Sequence, residues 1–139
     1  MGVLLDPNLY GSQDRTLSRD CPVISATTTL ALGTNPQPTR VFQVELIVDT
    51  TYAADPSNFY VFALIWGSGP TTLATWSTLT GAVNQGTLTA GVPAQMVLST
   101  TDTDLVIGAN RTVRLLATKN GTAANIQPRV VVNGRTVAK

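Results

Sequence analysis

Histidine is absent from all 139 residues. Its absence removes the commonest general acid and base, the Ser-His and Cys-His nucleophile systems, and the commonest transition-metal ligand. Cys21 is the single cysteine, so neither an internal disulfide nor a cysteine-rich zinc site can form. Its neighbours Asp20 and Pro22 offer nothing to stabilise a thiolate, and the residue reads as structural. The one tight carboxylate pair is Asp102-Thr-Asp104. On a strand the two would share a face, and in a loop they would contribute to a calcium site. The further spaced acids of a calcium loop do not follow, so the pair reads as a solvated turn before a strand at Leu105. Glycines punctuate turns, and neither GxGxxG nor GxxxxGK[ST] occurs. No catalytic residue, metal site or cofactor is expected, and the protein reads as a non-enzyme.

Two features point towards binding. Phe59, Tyr60, Phe62, Trp66 and Trp76 have the chemistry of a sugar-binding or base-stacking platform. Three of the five lie inside the densest apolar run, which favours core packing. After Asp104 there is no acid, while Arg111, Arg114, Lys119, Arg129, Arg135 and Lys139 follow. These bases are spread singly over several strands without interleaved aromatics, so a nucleic-acid partner is not expected. Asn110-Arg-Thr112 and Asn120-Gly-Thr122 match the glycosylation pattern by letter only, as a Thr-rich chain does by chance.

The elements that must position these residues are strands. Glu45 is the only glutamate and Lys119 and Lys139 the only lysines, while threonine abounds, a balance that disfavours exposed helix. Residues 1–20 mix a short apolar start with turn formers and charges, without sustained periodicity, and read as an extended arm. From Pro22 to Leu32 the pattern alternates, with Ile24, Ala26, Thr28, Leu30 and Leu32 on one face. Between Arg40 and Thr50, Phe42, Val44, Leu46 and Val48 are expected to face inward. The run from Asn58 to Trp66 looks buried on both faces, hence a central strand or one covered by a neighbouring subunit. Signals weaken between Thr71 and Thr89. Short strands are expected over Ala94–Ser99 and Leu105–Ile107, a longer one over Asn110–Thr118, and Asn133-Gly134 predicts a closing hairpin. Seven or eight strands at roughly ten-residue spacing give an all-β fold: a single β-sandwich over 21–139, immunoglobulin-like or jelly-roll, with an extended N-terminal arm over 1–20.

The whole chain is charged at only 12% of positions and 43% apolar, values of a folding domain. The longest apolar run, Phe59 to Trp66, is far short of the ~18 residues that cross a bilayer. Without a secretory signal the chain is expected to be soluble, unexported and free of the membrane. Met1-Gly2 lacks the serine or threonine of a myristoylation signal, since Asp6 stands there.

An arm over Met1–Asp20 followed by a Thr- and Val-rich β-domain without catalytic residues resembles, in organisation, the decoration or cement proteins of tailed-bacteriophage heads. The resemblance implies a homo-oligomer, often a trimer, made in the host cytoplasm. It would be seated on the virion's capsid surface, bridging neighbouring major-capsid subunits. Val3, Leu4, Leu5, Leu9 and Tyr10 are the arm's candidate interface anchors, because a segment that orders on a neighbour covers much surface per residue. The alternative is a carbohydrate- or receptor-binding β-sandwich, which would need exposed aromatics.

Overall fold

Wherever β-branched and aromatic residues dominate, the chain is extended. The computed structural model describes residues 14–137, and among these residues there are ten strands: β1 (Asp14–Asp20), β2 (Thr28–Asn35), β3 (Thr39–Val48), β4 (Phe59–Trp66), β5 (Thr71–Ser77), β6 (Ala94–Gln95), β7 (Val97–Leu98), β8 (Val106–Ile107), β9 (Arg111–Asn120) and β10 (Pro128–Thr136). One turn of 3-10 helix spans Asp102–Leu105. The strands form two antiparallel sheets, one ordered β1-β10-β3-β6 with β8 also on β3, the other β2-β9-β4-β5-β7.

The pairing is nested. β1 pairs β10, β2 pairs β9, β3 pairs β6 and β4 pairs β5, as if one long hairpin had been rolled up with its successive pairs alternating between sheets. That winding is a jelly roll, which settles the choice between the two expected sandwiches. The inner faces bury Val44, Leu46, Tyr60, Phe62, Leu64, Leu115 and Val130 almost completely. Tyr60 anchors the centre: its ring stacks on Phe62 with centroids 5.8 Å apart, and its hydroxyl donates to the Ile24 carbonyl at 3.2 Å. β4 is central, flanked by β9 and β5 as its dense apolar run predicts.

One side of the sandwich is closed by a strand that changes sheets. β6 pairs β3, β7 pairs β5, and the single residue between them, Met96, is buried with its N–H on the Val44 carbonyl at 2.8 Å. The stretch Ala94–Ser99, read as one strand, is therefore two. The opposite side lies between β1 and β2, where the Arg19 Nε donates to the Leu32 carbonyl at 2.7 Å.

Two sequence expectations are corrected by one feature. Asn133-Gly134 does not turn a hairpin, because both residues lie within β10. Opposite them β3 carries an extra residue: Val44 faces Val132, Gln43 faces Asn133, and Val41 faces Gly134, leaving Phe42 unpaired at a β-bulge. The bulge reverses the alternation, so Val41 is buried and Phe42, expected inside, is 54% exposed. Glycine is required there by proximity. A Cβ on Gly134 would lie 2.7 Å from the Thr39 Cγ2 and 2.8 Å from the Arg40 carbonyl oxygen. The expected strand from Pro22 also starts later, at Thr28, with Ile24 held by an isolated bridge to Ile126.

Candidate interaction face

The two outer sheet faces differ in chemistry. On the β1-β10-β3 face polar side chains pair across strands. Thr16 donates to Asn133 at 2.9 Å, Asn133 donates to Gln43 at 2.9 Å, and Gln95 donates to Glu45 at 2.7 Å. Arg135 meets Asp14 at 2.9 Å, Arg129 meets Asp20 at 3.5 Å, and Arg40 pairs with Asp102. This face is polar and largely matched internally, with Phe42 its exposed aromatic.

The other sheet has no such ladder. Its strands β2, β4, β5 and β7 contain no charged residue, and β9 contributes only Arg111, Arg114 and Lys119. One unbroken cross-strand row on its outer face runs Thr29, Leu116, Ala63, Thr75, Val97. Phe59, Val61 and Ile65 lie on the same side of β4 as Ala63, each only partly covered. Arg114 sits towards the rim opposite Ile65 and Ala31, its guanidinium turned to the Gly67 carbonyl and its Nε buried without a partner among the described residues. Arg114 is the one charge among the outward-facing strand residues of this sheet, whose others are aliphatic, aromatic or hydroxyl side chains. Sequence reasoning missed this face, although the signal was present: residues 56 to 101, between Asp55 and Asp102, include no Asp, Glu, Lys or Arg.

The residues singled out for chemistry are occupied structurally. Asp102 and Asp104 lie on the 3-10 turn. Asp102 pairs with Arg40, whose guanidinium holds that carboxyl below its usual range. Asp104 accepts from the Ser99 hydroxyl at 2.6 Å, and its carbonyl accepts the Trp66 indole N–H at 2.9 Å. Among the described residues no group of three or more His, Cys, Asp or Glu is placed to hold a metal. Cys21 is buried, and burial, with Asp20 adding to it, pushes its thiol up to about 11. Tyr60, Phe62 and Trp76 are core residues, and the Trp76 indole donates to the Gly86 carbonyl at 3.3 Å. The bases of the last third are scattered: Arg129 and Arg135 pair with β1 acids, and Lys119 donates to the Ser25 carbonyl at 2.9 Å. The arm anchors Val3, Leu4, Leu5, Leu9 and Tyr10 lie outside the described residues. Residues 14–20, assigned to the arm, are extended and lie on β10 as β1.

The sequence matches no protein-family model and none of the curated proteins compared with it. Among solved structures, a chain of the "Structure of infectious bursal disease virus Gx strain" superimposes at TM-score 0.42 and 12% identity, covering 90% of this chain and 32% of that one. The present chain thus spans about a third of that chain's length, and a likeness of this degree carries no inference.

Proposed function

We propose that this protein is a non-catalytic structural component of a virion that binds and stabilises a phage capsid by bridging neighbouring capsid subunits. The observation that carries the reading is the outer face of the β2-β9-β4-β5-β7 sheet, where Arg114, near the rim, is the one charge among the outward-facing strand residues, on a chain whose opposite face pairs several of its charges. A sheet face this poor in charge, with Phe59, Val61, Ile65 and Leu116 only partly covered, is what a partner covers. The jelly roll is an architecture that viral capsid domains and lectins use, which is compatible with a virion setting without establishing it. The organisation of the chain, an apolar-anchored arm before a β-body, adds support of the same kind.

Size explains why bridging would need several copies. Five strands about 4.8 Å apart, over roughly 20 Å of strand length, make a plane of about 400–500 Å², near half of the ~800 Å² per partner in a standard interface. One face is therefore weak, and an oligomer that presents several faces to neighbouring capsid subunits gains by avidity. The arm, through Val3, Leu4, Leu5, Leu9 and Tyr10, joins the subunits. The test is co-sedimentation with capsids assembled without the protein, comparing wild type with Ala63→Lys. An unpaired ammonium in the middle of the covered plane should weaken binding roughly a hundredfold, while folding persists because Ala63 points away from the core. Undiminished binding by Ala63→Lys would refute the assignment of this face.

A further inference from the structure

We infer that the arm of a second copy adds as a strand to the edge of β1 that no described residue pairs, and lays Pro7 and Leu9 over the cavity between β1 and β2, with Leu5 beside Arg19. This rests on the proposed joining role of the arm and names its partner.

The groove is the open side of the roll. Beyond the Arg19 to Leu32 hydrogen bond, towards the Asp14 end of β1, the sheets part and leave a cavity of about 110 Å³. Leu17, Val41, Ile107, Val113 and Val132 line it. A dry apolar cavity of ~150 Å³ accepts benzene, so this space suits a leucine side chain. The edge beside it is ready to pair. The Cys21 N–H donates to the Pro128 carbonyl at 3.0 Å, which fixes the parity of the ladder: odd-numbered β1 residues bond β10, and Asp14, Thr16, Ser18 and Asp20 present their backbone groups to the open side.

The arm fits this edge in one parity. Leu5, Pro7 and Leu9 alternate with Asp6, Asn8 and Tyr10, a stretch too brief to register as sustained periodicity. Laid antiparallel with Leu9 opposite Arg15, Pro7 opposite Leu17 and Leu5 opposite Arg19, it turns its apolar side to the groove. Those three positions are then the non-hydrogen-bonded ones, where proline's missing N–H leaves no gap in the ladder. Asp6, Asn8 and Tyr10 bond the backbone of Ser18, Thr16 and Asp14.

The same chain is poorly built to make this pairing with itself. The favourable register would leave Gly11-Ser-Gln13 as a three-residue loop, which wants glycine at its third residue for the left-handed conformation, where Gln13 stands. The two-residue Gly11-Ser12 turn suits the sequence but slips the register by one, turning Asp6 and Asn8 into the groove. A second copy meets neither constraint.

Full-length Asp6→Cys and Ser18→Cys proteins, mixed in urea, refolded together and oxidised, test the register. Paired Cα atoms about 5.5 Å apart in such a ladder lie within disulfide reach, and Ser18 is exposed, so the core is spared. The expected product is a 6-to-18 linked pair of chains, twice the 14.6 kDa of one. No link in the mixture, or a double variant that closes the link within one chain at high dilution, would overturn the inference. As a second measurement, Leu5→Asp combined with Leu9→Asp should reduce the light-scattering mass to that of a single chain, and an unchanged mass would likewise overturn it. Ala63→Lys should leave both readouts intact, so failure of arm exchange and failure of the capsid-binding face are separable.

Discussion

Replacing Gly134 with alanine isolates the bulge that redirects Phe42. The added Cβ would meet the Thr39 methyl at 2.7 Å and the Arg40 carbonyl oxygen at 2.8 Å, whereas carbon atoms in good contact lie about 3.5–4.0 Å apart. Thr39 is buried and the second clash is with backbone, so β3 and β10 must separate locally. Overpacking of this kind costs about 1–3 kcal/mol, offset by about 0.5–1 kcal/mol from glycine's greater entropy loss on folding. Taking the upper part of the first range because one clash is with backbone, we expect a net loss of about 2 kcal/mol. That corresponds to a Tm lower by roughly 6–8 °C for a chain of this size. In urea the midpoint should fall by about 1 M with an unchanged m value. Gly69→Ala is the control, since nothing lies within 4 Å of its Cβ position, and its stability should stay within about 0.5 kcal/mol of wild type. If Gly134→Ala were as stable as Gly69→Ala, the close approach of β3 to β10, and with it the bulge, would be refuted.

Two further outcomes follow from buried and hydrogen-bonded ionisable groups. Cys21, its thiol raised by burial from 9.0 to about 11, should resist iodoacetamide at pH 8 in the native protein and react readily in urea; rapid native alkylation would contradict its burial. Because the folded value is the higher one, its stabilising contribution is complete below pH 9 and lost as pH rises through about 11, so Cys21→Ala should flatten that alkaline decline in urea midpoint. Asp55 accepts the backbone N–H groups of Ser57 at 2.7 Å and Asn58 at 2.6 Å, which hold its carboxyl below the usual 3.8. Its contribution is therefore complete above that usual value and lost as pH falls through the lower folded one. Asp55→Asn should show a shallower loss of urea midpoint between neutral pH and pH 2.5, and an acid dependence identical to wild type would exclude this role.

The sequence carried the architecture wherever the period of two ran uninterrupted. Central β4 was legible because its inward residues Tyr60, Phe62 and Leu64 and its outward residues Phe59, Val61, Ala63 and Ile65 are all apolar, as a strand flanked on both edges permits. β9 came within two residues of its expected end, since Asn120-Gly121 terminates it with a left-handed glycine. Local reading failed where long-range pairing decides. An Asn-Gly pair signals a hairpin only if the chain reverses, and here β1 and β3 flank β10 on both sides, so the strand runs straight through. The bulge at Phe42 likewise depends on Asn133 and Gly134, far away in sequence on β10. Met96 could not be read as a corner because a strand that changes sheets keeps its β composition while changing its neighbour. The outer face of the β2-β9-β4-β5-β7 sheet is marked by no residue type that does chemistry, and its signature in the sequence is the scarcity of charge.

That scarcity is not a by-product of composition. The strands β1, β3 and β10 carry Asp14, Arg15, Arg19, Asp20, Arg40, Glu45, Arg129 and Arg135, and several of these are matched across the ladder. The chain thus places eight charged strand residues in one sheet and three, all on β9, in the other, although nested pairing draws each sheet from both ends of the sequence. A solvated sheet face gains solubility from charge, and a free edge strand invites unwanted pairing unless it is blunted. β1 blunts its edge through charges at its two ends, Asp14-Arg15 and Arg19-Asp20, and the β2-β9-β4-β5-β7 face is hardly blunted at all. A protein that worked alone in water would gain from distributing its charges over both faces. Concentrating them leaves the first face suited to water and the other to the partner proposed for it, and the β1 edge, which no described residue pairs, lies on the side of the roll between them, where the proposed arm of a neighbour would not obstruct the second face.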